Sequence, residues 1–278
     1  MNPRISVVIP CYDDGATVAD AVHSVRETEP VEIVLVDDGS RDPMTIATLD
    51  GLAAGGGVRL LRQANAGVGA ALRAGTAAAT APYVFVLNSD DLVEAGALAE
   101  LADALDRSPE HAFAFGWIRM FGDLEALVRQ PPWNPWILLH SNRWAISSLY
   151  RRTALEQVGG FPDSAGYEDW DLLLSLAERD LHGVLVPQLV LHYRQHSAGR
   201  RNRAAMVGLR ANYAELRRRH AALFAREPEL RRTYPLPRRT RLAYRAQLRL
   251  GLLLPGSLVP RLLALKWRLQ PRRDQRVT

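Results

Sequence analysis

The chain has one cysteine, Cys11, among 278 residues. No intrachain disulfide can form, and a cysteine-rich zinc site is excluded. Long apolar runs are also missing. The uncharged stretch 74–89 is broken by Thr76, Thr80, Pro82 and Asn88, so nothing reaches the roughly 18 apolar residues of a membrane-spanning helix. No secretory leader is visible. Met1-Asn2-Pro3-Arg4 leads straight into a short apolar segment, which predicts a cytoplasmic protein. Acidic residues are scarce in one region only. Residues 200–278 hold 21 basic and 4 acidic side chains (+17), whereas residues 1–199 hold 14 basic and 26 acidic ones (−12). A body of that sign repels a nucleic-acid backbone, so a nucleic-acid partner is not expected. What remains, with 47% hydrophobic and 23% charged residues, is an ordinary globular composition. The charge break predicts a body at 1–199 and a basic helical extension at 200–278.

The first ~110 residues alternate strand and helix signals. Apolar runs at 5–9, 32–36, 58–61 and 83–87 read as strands. Helical spacing appears at 17–26, 43–52, 67–78 and 95–105. Repeated strand–helix units predict an α/β fold with a mostly parallel sheet flanked by helices. Residues 112–150 are irregular and hold four of the six tryptophans, Trp117, Trp133, Trp136 and Trp144. They read as strands and a loop over a sheet edge. A loop after Gly159-Gly160-Phe161 leads into an apolar helix opened by Glu168-Asp169-Trp170-Asp171, and 184–191 reads as a last strand.

In parallel sheets, ligands bind beyond the carboxyl ends of the strands. Three such ends carry polar clusters: Cys11-Tyr12-Asp13-Asp14, Asp37-Asp38 and Asn88-Ser89-Asp90-Asp91. Each residue type has two uses. The pair Asp90-Asp91 suits a hard divalent ion shared with substrate phosphates, and equally suits capping of the next helix. Asp37 and Asp38 can accept from a ribose or base, or cap. Gly67-Val68-Gly69 lacks the third glycine of a dinucleotide fingerprint. Arg73 can face a diphosphate or solvent. The three acids at 168–171 suit a helix N-terminus, or supply a general base. His196 is a metal ligand or a surface histidine.

Taken together and in order, these segments resemble the family 2 inverting glycosyltransferases of the GT-A fold. The resemblance spans about 4–199. It rests on Val7-Val8-Ile9-Pro10-Cys11-Tyr12-Asp13, on Glu32-Ile33-Val34-Leu35-Val36-Asp37-Asp38-Gly39-Ser40, and on Asn65-Ala66-Gly67 with Arg73. It continues through Asn88-Ser89-Asp90-Asp91, Gly159-Gly160-Phe161 with Glu168-Asp169, and Tyr193-Arg194-Gln195-His196. Asn88 stands where the metal motif usually begins with Asp, and Ala74 where Asn is frequent.

The resemblance implies a GT-A fold with a donor half at about 1–110 and an acceptor half at about 111–199. It implies transfer of a sugar from a nucleotide-diphosphate donor to a glycan, lipid-linked or natural-product hydroxyl. Pro10, Tyr12, Asp14, Asp37, Asp38, Asn65, Arg73 and Asp90 would then line the donor. Mg²⁺ or Mn²⁺ would sit on Asp90, with Asp91 and His196 nearby. Asp169 would be the general base, with Glu168 beside it. Trp117, Trp133, Trp136 and Trp170 would face the acceptor, since indoles pack on sugar C–H surfaces. A non-catalytic nucleotide-sugar binder and a nucleotidyltransferase are the alternatives. The second needs a basic, Gly-rich loop after its first strand, and 11–16 has no basic residue and one glycine.

In the extension, Met206, Leu209, Tyr213, Leu216 and Leu223 recur at amphipathic-helix spacing, and Arg241, Arg245 and Arg249 form a stripe. Leu258, Leu262 and Leu265 with Arg261, Lys266 and Arg268 repeat the pattern. Such helices fit an anionic membrane surface, giving a peripheral protein at the inner face. They also fit packing on the body or pairing with a second copy.

Overall fold

The computed structural model describes residues 2–163, 167–195 and 200–253. The chain divides into two units, 1–133 with 144–195, and 134–143 with 196–278.

The first unit opens with β1 (Ile5–Cys11), α1 (Val18–Ser24), β2 (Val31–Asp37), α2 (Pro43–Ala54), β3 (Val58–Arg62), α3 (Val68–Ala78) and β4 (Tyr83–Val86). Side chains alternate across the sheet. Ile5, Val7, Ile9, Leu35 and Phe85 join the core with Val18 and Ala21 of α1 and Leu49 of α2. Val8 and Val36 point the other way, against α3. That approach is close: a Cβ on Gly75 would lie 2.3 Å from Val8 Cγ1. α2 starts sharply because Asp42 accepts from Thr45 N at 2.9 Å and Pro43 takes the first helical position.

Next come β5 (Leu92–Val93), α4 (Ala97–Arg107), β6 (His111–Gly122) and β7 (Ala126–Val128). After α5 (Pro135–Leu138), which belongs to the second unit, β8 (Leu149–Arg151), α6 (Arg152–Gln157), α7 (Glu168–Glu178) and β9 (His182–Gln195) complete the first. The sheet order is β3-β2-β1-β4-β8-β6-β9-β5, with β7 on β6. β3, β2, β1 and β4 are parallel. β8 is antiparallel to β4 and β6, and β5 to β9, while β6 and β9 run parallel. The expected parallel α/β sheet is therefore present, and its far half is mixed. The chain leaves β1 toward β3 and returns to β4 on the other side of β1. In such sheets a reversal of this kind marks the place where a ligand crevice forms, here at the carboxyl ends of β1 and β4.

Two boundaries differ from the sequence expectation. β9 continues to Gln195 through polar Tyr193 and Arg194, because its backbone pairs with β6 as far as Gly122↔Gln195. The two-residue β5 is too short for any periodicity and exists through pairing with Leu191 and His192.

The second unit joins α5 to α8 (Arg200–Arg219), α9 (Ala221–Ala225), α10 (Glu227–Thr233) and α11 (Arg238–Leu253). Tyr213, Leu216 and Leu223 are buried, as their spacing predicts, with Leu230 of α10 also inside. Trp136 on α5 is fully buried. Its Nε1 donates to Glu227, whose Oε1 also accepts from Arg245 Nη2 at 2.7 Å. The Arg245 guanidinium lies 5.6 Å over the indole, and His140 stacks on it at 4.2 Å. Burial opposes the Glu227 charge, but the bonds from Trp136 and Arg245 prevail and hold it below the usual carboxylate range. Among the described residues no helix is long and apolar enough to cross a membrane. The stripe at 258–268 lies outside the described residues.

Candidate active site

The carboxylates at the strand ends are bonded chiefly to backbone N–H groups. Asp13, after β1, adopts φ 52° and its Oδ1 accepts from Arg41 N and Asp42 N at 2.7 and 2.9 Å. Asp38 N donates to Cys11 O, which seals β1 against the end of β2. Asp37 accepts from Ser40 N at 2.8 Å and from Arg62 Nε at 3.3 Å. Asp38 accepts from Gln63 Nε2 and Ala66 N on one oxygen and from Gly67 N on the other. These bonds hold the 63–67 segment, including exposed Asn65, at the end of β2. Gly39 has φ +74°, and a Cβ there would stand 2.7 Å from Asn65 N. Tyr12 is half-buried and Pro10 buried. The Cys11 thiol is 2% exposed, and burial, with Asp14, Asp37 and Asp13 nearby, pushes it up to about 12.

At the end of β4 the two aspartates have different environments. Asp91 is fully buried. Its Oδ2 accepts from Asn88 Nδ2 and its Oδ1 from Arg194 N, each at 2.9 Å. Burial, and then the neighbouring Asp90 charge, raise its carboxyl to about 7. Both Asp91 oxygens are thus already engaged within the protein, which leaves Asp90 as the more accessible of the two carboxylates for an ion. Asn88, which replaces the usual Asp of the motif, donates to Asp91. Asp90 is half-buried and keeps exposed surface. Asp14 Oδ2 accepts from Ser89 Oγ at 2.7 Å, joining the β1 and β4 ends. His196 lies outside the described residues. Among those described, no group of three His, Cys, Asp or Glu could enclose a metal ion.

Arg194 was not singled out from sequence. Its Nε donates to Asp90 O at 2.8 Å, its guanidinium lies 4.6 Å over Phe121, and Asp20 is 3.7 Å away. Sequence placed it only within the Tyr193-Arg194-Gln195-His196 segment, with no role of its own.

α3 brings in the remaining segments. Arg73 Nη1 donates to Phe161 O at 3.0 Å, and Asp163 is 3.9 Å away. A Cβ on Gly69 would lie 2.5 Å from Pro162 O and 3.5 Å from Glu168 Cγ. The turn after Gly159-Gly160 and the start of α7 are thereby held beside the N-terminal turns of α3. Glu168 and Asp169 are half-buried in the first turn of α7, where the helix dipole favours a carboxylate. Asp169 Oδ1 accepts from Trp170 N at 2.7 Å. Burial, and secondarily the Asp169 charge, raise Tyr167 to about 12 and push the buried Tyr150 phenol upward as well.

The tryptophan expectation needs correction. Trp136 is fully buried, with Glu227, Arg245 and His140 against its ring. Trp133 and Trp170 are 8% and 6% exposed. The first packs edge-on to Phe113 and donates to His182 Nδ1 at 3.1 Å, and the second tilts against Tyr167. Indole is the largest apolar side chain available, and here these rings fill cores. Only Trp117 of the four is half-exposed, and the Arg129 guanidinium lies 5.2 Å over its ring.

The family model described as glycosyl transferase family 2 matches residues 6–159, more than half of the chain. The chain belongs to glycosyl transferase family 2. Among relatives, the O-antigen biosynthesis protein RfbC of Myxococcus xanthus is 28% identical over 273 residues, 94% of this chain and 21% of that protein. The chain spans about a fifth to two fifths of the first curated relatives it matches. Two solved structures share the fold. TarS residues 1–349 of S. aureus, in complex with UDP-GlcNAc, superposes with a TM-score of 0.67 at 15% identity, covering 88% of this chain and 71% of that one. The mannosyltransferase PcManGT of Pyrobaculum calidifontis, in complex with GDP-Man and Mn²⁺, gives 0.59 at 18% identity, covering 98% and 83%. The GT-A fold expected from the family 2 motifs, and the helical extension expected from the charge break, are thus present.

Proposed function

We propose that this family 2 chain moves a sugar from a nucleotide-diphosphate donor to an acceptor hydroxyl, with inversion at the anomeric carbon. One observation carries the reading. The polar ends of β1, β2 and β4 are tied to one another, and the same crevice side holds Arg73 against the turn that leads to Asp169. Pro10, Tyr12, Asp14, Asp37, Asp38 and Asn65 shape the nucleotide end. Arg73 uses its remaining N–H groups toward phosphate.

Asp90 is the residue that would hold Mg²⁺ or Mn²⁺. A single hard carboxylate with exposed surface fits an ion whose other ligands are substrate phosphates and water. Such an ion, when bound, offsets the charge that develops on the departing diphosphate. Asp169 takes the acceptor hydroxyl proton as that oxygen attacks the anomeric carbon. The bond to the donor phosphate breaks, and its electron pair leaves with the nucleoside diphosphate. Attack from the face opposite the leaving group inverts the centre. Glu168, on the same turn, orients the acceptor. The name of the O-antigen biosynthesis relative supports a glycan acceptor.

The test is donor hydrolysis and transfer across a panel of nucleotide sugars, with Mg²⁺ or Mn²⁺ and with chelator. Metal-dependent turnover of at least one donor is expected. Full activity in excess chelator overturns the metal assignment. Tight donor binding without any hydrolysis or transfer makes the protein a nucleotide-sugar binder instead.

A further inference from the structure

α11 has two unlike faces. Tyr244, Leu248, Gly251 and Leu252 are half-buried, and a Cβ on Gly251 would lie 3.1 Å from Leu209 Cδ2 of α8. The opposite face is open. Of the four large apolar side chains that are strongly exposed among the described residues, three are here: Leu242 at 54%, Leu250 at 55% and Leu253 at 82%. With Ala246 they fall within roughly 80° of arc on a helix of 3.6 residues per turn, an arc that exposed Arg239 shares at its N-terminal end. Exposed Arg238 and Arg249 border this stripe. Arg241 and Arg245 continue that border but are already engaged, with Leu236 O and Glu227. α11 contains five arginines and no acidic residue.

An apolar strip with an arginine border is the pattern of a helix lying in a membrane interface, leucines among the acyl chains and guanidinium groups on anionic headgroups. Nucleic acid would use the arginines but leave the leucines in water. A second copy paired through the same face would set Arg238 of one helix near Arg249 of the other, like charge against like. We propose that the open face of α11 docks this protein on an anionic bilayer surface. The docking is independent of the transferase chemistry, since none of these residues belongs to the crevice.

The full chain is to be sedimented with vesicles of phosphatidylcholine alone and with an equimolar mixture containing phosphatidylglycerol. It is expected to pellet with the mixed vesicles only, and to be released at 1 M salt, where charges more than ~3 Å apart are screened. Arg238→Gln with Arg249→Gln should weaken partitioning roughly thirtyfold. Leu242→Ser with Leu250→Ser should weaken it more than about tenfold. Both variants, altered only at exposed positions, should keep the parent's circular dichroism and donor hydrolysis in solution. The proposal is overturned if the parent ignores anionic vesicles at low salt, or pellets equally with neutral ones. It is also overturned if both variants bind like the parent, which assigns docking to another segment. A parent dimer on size exclusion that the leucine variant turns into monomer assigns the face to a second copy. Loss of donor turnover in all versions alike would refute the transferase reading and leave the docking result standing.

Discussion

The two units use charge in opposite ways. In the sheet unit three of the acids at the strand ends are buried and bonded. Asp37, Asp38 and Asp91 are each at most 4% exposed, and each accepts at least one backbone N–H. Their charge shapes loops. In the helical unit the described acids are few and pair with arginines: Glu215 with Arg218, Glu229 with Arg226, and Glu227 with Arg245. Most arginines there remain exposed. An acid-rich segment can therefore show little charge to a ligand, whereas an arginine-rich one shows most of what it has. Net charge read from sequence describes the second kind of region better than the first.

The sharpest way to break this contrast is at the acids that keep exposed surface. Asp169→Asn should lower transfer by about 10²–10⁴-fold while leaving donor affinity nearly intact, as read by single-turnover transfer and donor titration. Transfer within about tenfold of the parent would move the base elsewhere, with Glu168 and Asp171 next in line. Asp90→Ala should abolish metal-stimulated turnover, measured as donor consumption against Mn²⁺ concentration.

Smaller effects test the packing beneath. Gly75→Ala drives a methyl into Val8 and should destabilise the sheet unit by about 1–3 kcal/mol in urea unfolding. In the helical unit, Trp136→Phe removes the donor to Glu227 and part of the ring volume, at about 1–2 kcal/mol. The least of the effects is a pH dependence. Burial, and then the charges of Arg245 and Arg217, depress the His140 pKa. His140 Nδ1 lies 2.9 Å from Trp136 O, and since a carbonyl can only accept, the neutral ring donates there. The stabilisation is complete above the ordinary histidine value and is lost as pH falls through the lowered one. Melting temperature should thus drop more between pH 7 and 5 in the parent than in His140→Asn.

Much of the sheet unit was legible in the sequence. Continuous apolar runs such as Val7-Val8-Ile9 mark strands covered on both faces, and the acids that follow mark their carboxyl ends. The role of each acid was less legible. Asp90 and Asp91 are alike as letters, and only burial and the Arg194 backbone separate them. The role of Arg194 was hidden because its partners, Asp90 O in the turn after β4 and Phe121 on β6, are distant in the chain. The tryptophans misled for a related reason: indole serves cores and sugar surfaces equally, and composition does not choose. Grouping of 134–143 with the C-terminal helices was invisible, since it depends on Trp136 meeting Glu227 and Arg245, about 90 and 110 positions later, with no periodic trace.

The single thiol gives this molecule a clock. Cys11 ends the central strand and is shielded, and its thiolate is strongly disfavoured at neutral pH. An alkylating reagent therefore reacts only when β1 parts from its neighbours. With no second thiol in the chain, the modification rate reads that opening directly, without a label or an engineered site. A nucleotide seated at the ends of β1 and β2 would slow the clock, so occupancy becomes measurable by mass alone, before any product is made.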